Sequence, residues 1–576
     1  MNIRRRKHWG WGYEDQQPTP VQVRASAAGL AEHLRPILGD VDLGEVEAPV
    51  ALQAVELDPP RVAPPASLRG ICAQDVHARA THALGKSYID VVRGMRGQFD
   101  HPPDVVARPR DEHDVERLLE WCSAQRIAAI PYGGGTSVVG GVTPQIDHAQ
   151  YNGTVSIDVG ALDRVLEVDP VSRAALIQAG ATGPALETQL AEHGLTLRHY
   201  PQSFEYSTLG GWIATRAAGH YATVLTHIED LVESVRAIAP AGVWQSRRLP
   251  GSGAGVSPDR MLAGSEGVLG VITRAWMRVR RRPTHRASAG VRFVRFFDGA
   301  ECVRALSQSG LDPANCRLID AGEARMTMAG DGSAALLVLG FESADHPVDS
   351  AIARALEICA EHGGEAAEGR GYAGGGGAGS RGDAGGGGGD RRGEQRGGTG
   401  AGGAGGDAVS SWRGAFLGAP YLRDVFVAMG VLSETFETAI TWERFPALHE
   451  RVTGAVREAI DSVAAPAARG AGQVSCRFTH VYPDGPAPYF TVVAPARRGE
   501  EVEQWRAIKR AASEAVIAEG ATITHHHAVG RDHRPWYDRQ RPELFAQALR
   551  GACAAVDPCG IMNPGVLIDP HNTNLT

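Results

Sequence analysis

Residues 131–141 read PYGGGTSVVGG, and this stretch decides what kind of fold surrounds it. It follows the apolar run Ile127–Ile130, so the pattern predicts a strand that ends directly at the glycines. Successive backbone N–H groups in such a loop form a concave nest for a phosphate, and Thr136 and Ser137 add hydroxyl groups. A flexible surface turn is the alternative interpretation. Because neither a Lys nor a helix start follows the glycines, phosphate-loop and Rossmann sites are disfavoured.

Two later segments repeat the same chemistry of small residues and hydroxyl groups. They read STLGGWIATRAAG (Ser207–Gly219) and AGSEGVLGVIT (Ala263–Thr273). Three such segments predict one long ligand laid across a single domain. A dinucleotide fits this pattern, because its pyrophosphate rests on one loop while other loops hold its ring systems.

Short strands alternate with amphipathic helices around these segments, which predicts an α+β fold. Before the first segment, Asp111 is the predicted N-cap of a helix whose apolar face carries Val115, Leu118 and Leu119. A glycine-rich stretch later in the chain lacks apolar residues large enough to pack, which predicts a disordered insertion. The predicted division is an N-terminal arm and helical region (1–100), a ligand-binding domain that carries the three glycine segments (101–282), a second domain (283–499) with the insertion at 369–407, and a C-terminal segment (500–576).

Composition excludes several classes of function. The chain has 576 residues, of which 43% are hydrophobic and 22% charged, so two or three globular domains are expected. A net charge of −8 gives no electrostatic basis for binding nucleic acid. The sequence contains no apolar run of about 18 residues, so no membrane-spanning helix is predicted. The eight cysteines form no C-x-x-C pair, which favours a reduced, cytoplasmic compartment. Residues 19–65 are interpreted as a loosely structured arm.

Together, the three glycine segments resemble the FAD-binding domain of the vanillyl-alcohol oxidase superfamily. The resemblance implies two α+β subdomains that clasp FAD, an α+β substrate (cap) domain and a C-terminal helical segment. The first segment resembles the pyrophosphate loop, the second passes the isoalloxazine, and the third is the closing strand. Because the first segment contains no His or Cys, FAD is expected to be non-covalent. The implied FAD contacts are Tyr132, Gly133, Gly134, Gly135, Thr136, Ser137, Val138, Gly141, Ser207, Thr208, Leu209, Gly210, Thr215, Arg216, Ala217, Ala218, Glu266, Gly267, Val268, Leu269, Gly270, Val271 and Ile272.

Other segments resemble the alkyldihydroxyacetonephosphate synthase family within this superfamily. They are KHWGWGYED (Lys7–Asp15), CRLIDAGEA (Cys316–Ala324), the stretch Tyr421–Phe445, SCRFTHVYPDGPAPYFTV (Ser475–Val492) and THHHAVGRDHRPWY (Thr524–Tyr537). The resemblance implies an enzyme that exchanges the acyl chain of acyl-dihydroxyacetone phosphate for a fatty alcohol, in ether lipid synthesis. It implies an adduct at the flavin N5 and no net redox change. The substrate is then a small lipid with a phosphorylated head and a long chain.

The resemblance also assigns roles to single polar side chains. Tyr489 is the implied proton donor and acceptor, and a flavin and a cation nearby are expected to lower its pKa. Arg423 is implied to contact the substrate phosphate, a task that suits a guanidinium group. Arg317 is implied as a second important arginine with a structural role. By residue type alone, a core aromatic and surface charges are the commoner interpretations.

The resemblance places the run His525, His526 and His527 near the flavin and implies that it transfers protons, for which the near-neutral pKa of histidine is suited. A metal site is the alternative interpretation. On a strand only His525 and His527 would share a face, and no nearby Cys or carboxylate completes a ligand set. We therefore predict no metal ligands here.

Two other functions stay open at this point. One is an FAD-dependent oxidase or dehydrogenase of a hydroxy acid or an alcohol, and the other is a catalytically idle flavin- or lipid-binding protein. The chain ends HNTNLT, without a peroxisomal signal, so we expect a bacterial protein that is cytoplasmic or peripheral at a membrane surface. Peripheral membrane contact and a homodimer stay open, and no nucleic-acid partner is expected.

Overall fold

The computed structural model describes residues 4–221, 223–224, 226–366 and 421–569. The predicted insertion at 369–407 lies outside these residues. Helices and strands alternate along the described chain, and the predicted α+β class is confirmed. Among the described residues, no helix is both long and apolar enough to cross a membrane.

The helices and strands are numbered in chain order. The helices are α1 (Pro20–Leu38), α2 (Val76–Thr81), α3 (Tyr88–Met95), α4 (Glu112–Gln125), α5 (Gly183–Ala191), α6 (Leu209–Thr215), α7 (Pro258–Leu262), α8 (Phe296–Ser307), α9 (Ala321–Met326), α10 (Asp349–Glu361), α11 (residues 421–428), α12 (Phe445–Val463), α13 (Glu501–Ala518), α14 (Arg534–Gln540) and α15 (Glu543–Val556). The strands are β1 (Cys72–Ala73), β2 (Val105–Ala107), β3 (Ile127–Tyr132), β4 (Gly153–Asp158), β5 (Val165–Asp169), β6 (Ala174–Gln178), β7 (Leu195–Thr196), β8 (Val232–Ala239), β9 (Gly242–Gln245), β10 (Val271–Arg278), β11 (Arg280–Arg281), β12 (His285–Phe293), β13 (Asn315–Ile319), β14 (Ala335–Ser343), β15 (Glu365–Ala366), β16 (Val431–Glu437), β17 (Gln473–Val481) and β18 (Pro486–Pro495).

The strands of the described chain form three main sheets and one two-stranded pair. The first sheet has the order β1-β2-β4-β3, and the second has the order β5-β6-β10-β8-β9. A larger sheet follows in the second half of the chain, with the order β15-β12-β14-β13-β17-β18-β16, while β11 pairs with β7. In the first sheet β2, β4 and β3 run parallel, whereas every pairing within the larger sheet is antiparallel.

The first sheet presents the glycine loop at the end of β3. Strand β3 begins at Ile127, as predicted, and its last residue, Tyr132, directly precedes the glycines. Helix α4 packs beside it, and the Asp111 side chain accepts a hydrogen bond from the Asp114 backbone N–H at 2.9 Å, so the predicted N-cap is confirmed. Val115 and Leu118 of α4 are fully buried against β3 and β4. Because β3 is packed between its neighbouring strand and α4, its direction is fixed, and so is the position of the glycine loop that follows it.

The expectation of a loose arm over residues 19–65 is wrong for its first half, which forms α1. Thr19 and Gln22 make a reciprocal capping box, and Pro20 occupies the first helical turn. Leu34 and Leu38 are buried, and they pack in one cluster with Phe426 of α11. The helix therefore owes its stability to a partner almost four hundred residues away, which local composition did not reveal.

The end of the described chain returns to the first sheet. The Ala129 N–H donates to the Ile561 carbonyl at 2.8 Å, and the Asn563 N–H donates to the Ala129 carbonyl at 2.9 Å. Because β3 lies at the edge of its sheet, residues 561–563 cover an edge that the other strands leave open.

Candidate flavin site

The three glycine segments and the larger sheet enclose a cavity of about 1030 Å³. This volume reaches the upper limit of ligand sites, which commonly measure about 300–1,000 Å³. Most of the predicted cofactor contacts lie on its wall: Tyr132, Gly133, Gly134, Gly135, Thr136, Ser137, Val138, Gly141, Ser207, Thr208, Gly210, Thr215, Ala217, Ala218, Glu266, Gly267, Gly270, Val271 and Ile272. Of the predicted catalytic residues, Arg317, Arg423, Tyr489, His526 and His527 share that wall.

The first glycine segment offers a row of backbone donors to the cavity. Among the described residues, no backbone or side-chain acceptor is found for the N–H groups of residues 134–138, although Gly134 and Gly135 are buried. Buried backbone donors are almost always paired, so an anionic ligand is the physical partner that this loop lacks. The residues present therefore fit the pyrophosphate of FAD.

The glycines themselves are required by close packing between loops. A Cβ on Gly133 would lie 2.2 Å from the Thr208 hydroxyl oxygen, and a Cβ on Gly134 would lie 2.1 Å from the Tyr206 carbonyl oxygen. Gly135 has a φ of +67°, a conformation that favours glycine. The bare backbone thus lets the first and second glycine segments touch, which places both beside the same ligand.

Four predicted cofactor contacts do not line the cavity. Leu209, Val268 and Leu269 are buried in the apolar core beneath the second sheet, because each is a large aliphatic side chain within a segment of small residues. Arg216 turns to form an ion pair with Glu229 at 2.6 Å. The family resemblance predicted cofactor contacts along whole segments. The structure shows that some residues of these segments face the cavity and others face the core.

Glu266 connects the third glycine segment to the histidine loop, residues 524–533. Its carboxylate accepts hydrogen bonds from the Val529 and Gly530 N–H groups, each at 2.8 Å. The Asn563 side-chain amide donates to the Glu266 backbone carbonyl at 2.7 Å. Burial raises the pKa of Glu266 to about 7, although the two N–H donors oppose that shift. Glu266 therefore holds three separate parts of the chain at one point of the cavity wall.

A second buried carboxylate, Glu437 at the end of β16, holds the histidine loop. It accepts hydrogen bonds from the backbone N–H groups of His525, His526 and His527, the last two at 3.1 and 2.8 Å. The Thr524 hydroxyl donates to the same carboxylate at 2.7 Å. Sequence analysis missed Glu437, because it is one of several acidic residues in Tyr421–Phe445 and local patterning does not separate them.

Tyr489 lies between polar neighbours on adjacent strands of the larger sheet. It pairs in register with Glu437 of β16 and with Arg477 of β17, so the three side chains lie side by side on one face. The Arg477 guanidinium carbon lies 3.9 Å from the centre of the Tyr489 ring, and the ring stacks against His526. Burial raises the pKa of Tyr489 even though Arg477 acts to lower it. The expectation of a lowered pKa is wrong, and the phenol is protonated near neutral pH.

The histidine loop brings together the rings of His525 and His526, which would point to opposite faces if these residues formed a strand. Residues 524–527 form a loop rather than a strand, and the Nδ1 atoms of His525 and His526 lie 3.1 Å apart. His526 and His527 face Tyr489, whereas His525 does not line the cavity and contacts Tyr482. Burial lowers the pKa of each ring, which keeps the histidines neutral near pH 7.

Two predicted arginines reach the same cavity with different surroundings. Arg317 on β13 is fully buried, and burial together with the charge of Arg477 lowers its pKa to about 9. Its guanidinium donates to the His220 carbonyl at 2.8 Å. Arg423 on α11 is half-buried and donates to the Lys86 carbonyl at 2.8 Å. Among the described residues, no carboxylate forms an ion pair with Arg423, so its positive charge faces the cavity uncompensated.

The fold and the cavity define a flavoprotein of the FAD-linked oxidase class. The family described as "FAD binding domain" matches residues 103–246, and "FAD linked oxidases, C-terminal domain" matches residues 282–375 and 393–567. The alkyldihydroxyacetonephosphate synthase of Trypanosoma brucei brucei is 29% identical over 498 residues, which cover 86% of this chain and 78% of that protein.

Two further proteins are similar to this chain, one over almost its whole length and one over less than half of it. A solved alkyldihydroxyacetonephosphate synthase structure shares the fold with a TM-score of 0.75 and 24% identity, covering 97% of this chain and 98% of that one. The mitochondrial D-lactate dehydrogenase [cytochrome] of Arabidopsis thaliana is 31% identical over 232 residues, which cover 40% of each chain. The chain is an alkyldihydroxyacetonephosphate synthase-like FAD-binding protein of the vanillyl-alcohol oxidase superfamily, and its cofactor is FAD.

Proposed function

We propose that this FAD-dependent enzyme exchanges the acyl chain of acyl-dihydroxyacetone phosphate for a fatty alcohol. The products are an ether-linked alkyl-dihydroxyacetone phosphate and one free fatty acid. The observation that carries the proposal is that an uncompensated Arg423, a protonated Tyr489 and neutral His526 and His527 share one cavity with the predicted pyrophosphate loop. Bound FAD would supply the electron-accepting ring that activates the reacting carbon.

In this proposal Arg423 binds the phosphate of the substrate. A guanidinium group forms paired, charge-assisted hydrogen bonds with phosphate oxygens. The hydrogen bond to the Lys86 carbonyl orients the group, and the Thr435 hydroxyl is a second neighbour at 3.5 Å. Arg317 lies deeper in the wall and is suited to orient neighbouring groups rather than to exchange a proton.

Proton transfer is assigned to the Tyr489 phenol on β18 and to the imidazoles of the histidine loop. Removal of a proton from the carbon that bears the ester needs a base, and its return to a leaving group needs an acid. Neutral His527 accepts a proton, and Tyr489, whose ring it meets edge to face, donates one. Glu437 holds the imidazoles in place through the backbone of their loop.

One part of the remaining wall is suited to a long hydrocarbon chain. Helix α1 contributes Ala25, Gly29 and Leu30 to the cavity, and α11 contributes Leu422 and Phe426. These side chains carry no charge, so burying an alkyl chain against them is favoured by about 25 cal/mol per Å² of apolar surface.

Labelled fatty alcohol tests the proposal directly. The purified flavoprotein, incubated without oxygen with acyl-dihydroxyacetone phosphate and the labelled alcohol, should form labelled ether product. One fatty acid should be released per ether bond, and the flavin absorbance should be unchanged after the reaction. Release of fatty acid without alcohol incorporation would contradict the exchange reaction.

A second candidate function rests on the similarity to D-lactate dehydrogenase [cytochrome]. An enzyme of that kind would oxidise a hydroxy acid, and Arg317 or Arg423 would bind the substrate carboxylate. Mixing the flavoprotein with D-lactate in the absence of oxygen distinguishes the two functions. Bleaching of the flavin band supports oxidation, whereas an unchanged spectrum together with alcohol exchange supports the synthase reaction.

A further inference from the structure

Three histidine rings from two separate parts of the chain converge beside the cavity. His480 lies on β17, and His525 and His526 lie on the histidine loop. One ring nitrogen of each residue lies within 4.8 Å of the others. His480 is distant in sequence from the run 525–527, so the run alone does not indicate it as a third member.

The hydrogen bond of His480 leaves one ring nitrogen without a proton. Its Nε2 lies 2.6 Å from the Gly219 carbonyl oxygen, which accepts hydrogen bonds only, so Nε2 carries the proton. In the neutral ring with its proton on Nε2, Nδ1 has a free lone pair. Among the described residues, Nδ1 has no hydrogen-bond partner, although the side chain is only 2% exposed. A buried ring fixed through one nitrogen, with the other nitrogen bare, is the arrangement of a metal-ligating histidine.

The other two rings have a spacing that suits a shared ion. The Nδ1 atoms of His525 and His526 lie 3.1 Å apart. Two nitrogen ligands at the usual zinc distance of about 2.0–2.1 Å in a tetrahedral site are separated by about 3.3 Å. The Tyr482 hydroxyl lies 2.7 Å from His525 Nε2 and fixes that ring from behind, as the Gly219 carbonyl fixes His480.

We propose that His480, His525 and His526 form a binding site for a divalent transition-metal ion of the zinc type. Three imidazole nitrogens and an open fourth position are typical of zinc sites that bind water or a substrate atom. His480 and His526 line the cavity, so the open position faces it. Arg317 opposes a cation there, whereas the buried Glu437 carboxylate under the histidine loop favours one. This inference does not rest on the proposed reaction.

Metal binding to the purified holoenzyme is the test. After treatment with a chelator and dialysis against Zn²⁺, one tightly bound ion per chain is expected in the wild type. Co²⁺ should give the visible difference spectrum of a four-coordinate ion when measured against the metal-free flavoprotein. His480→Gln and His526→Gln should each weaken Zn²⁺ binding at least tenfold, since each removes one of three ligands.

Matched controls separate this site from surface binding. His346 is an exposed histidine, so His346→Gln should leave the bound ion in place. Flavin content and melting temperature should stay near the wild-type values in all three variants, which excludes general unfolding. Less than one ion per chain in the wild type, or unchanged binding in both His480→Gln and His526→Gln, would overturn the proposal.

Discussion

At the scale of single residues, a buried carboxylate determines how the histidine run is presented. Glu437 is 1% exposed and accepts hydrogen bonds from the N–H groups of all three histidines. Carboxylates accept hydrogen bonds through both oxygens, whereas an amide replaces one acceptor by a donor. The ring positions of the loop therefore depend on a side chain on another strand.

Glu437→Gln should destabilise the protein by about 1–3 kcal/mol, because an amide N–H₂ would face backbone N–H donors. Denaturant unfolding measures this loss, and the midpoint should fall without a change in slope. Glu443→Gln is the matched control, since Glu443 is exposed in the same stretch of chain. Equal effects of the two changes would show that Glu437 does not hold the loop.

Tyr489→Phe should reduce turnover by about 10²–10⁴-fold, the usual contribution of a general acid or base. The Phe ring keeps the packing against Arg477, so FAD content and KM should change little. Steady-state kinetics together with a flavin absorbance ratio make the measurement. Tyr537→Phe, outside the cavity wall, serves as the control, and normal turnover in Tyr489→Phe would move the proton role to the histidines.

Arg423→Leu should raise KM for the phosphate substrate by about 10–150-fold, because a charge-assisted hydrogen bond contributes about 1.5–3 kcal/mol. The effect on kcat should be small, since the phosphate is bound in the ground state and the transition state alike. Arg469→Leu removes an exposed arginine and should have no effect. A fall in kcat with an unchanged KM would contradict a phosphate-binding role.

At the scale of secondary structure, local signals predicted the elements whose stability is local. Helix α4 carries its own N-cap and a complete apolar face, and the sequence alone identified both. Helix α1 was missed although its capping box is local, because its apolar face packs against α11 from the distant part of the chain. The residues of the site differ in the same way. The glycine segments can be identified from their local sequence, whereas strand pairing alone brings Glu437 and His480 into the site.

The stability of the contact between the third glycine segment and the histidine loop should depend on pH. The Glu266 pKa is raised from 4.5 to about 7 in the folded protein, so its contribution to stability is fully present below about pH 4.5. That contribution is lost as the pH rises through about 7, because the buried carboxylate then ionises. The melting temperature of Glu266→Gln, measured relative to that of the wild type, should therefore rise as the pH increases from 5 to 8. A constant difference across this range would contradict the raised pKa.

At the scale of the whole molecule, one cavity joins the two halves of the chain. The glycine segments come from the first half, and the arginines, Tyr489 and histidines come from the second. The sequence predicted both sets through family resemblance, but it could not show which members face the same space. That information lies in sheet order and strand register, which no single segment contains.

Acid precipitation should release FAD into the supernatant, because the pyrophosphate loop has no His or Cys that could bond to the flavin. The measurement is the flavin absorbance of the supernatant and of the redissolved pellet. Flavin that stays in the pellet after a wash in denaturant would show a covalent bond, for which His526 or His527 of the cavity wall would be the first residues to examine.

The pairing of residues 561–563 with β3 also bears on the order in which the protein is made. Strand β3 leaves the ribosome early, but its outer edge is covered only when Ile561 and Asn563 have been synthesised. Until then the strand that leads into the pyrophosphate loop has an open edge that other chains can pair with. The nascent chain therefore completes its cofactor site only after residue 563 has been synthesised, and a ribosome that stalls before residue 561 leaves an unfinished site.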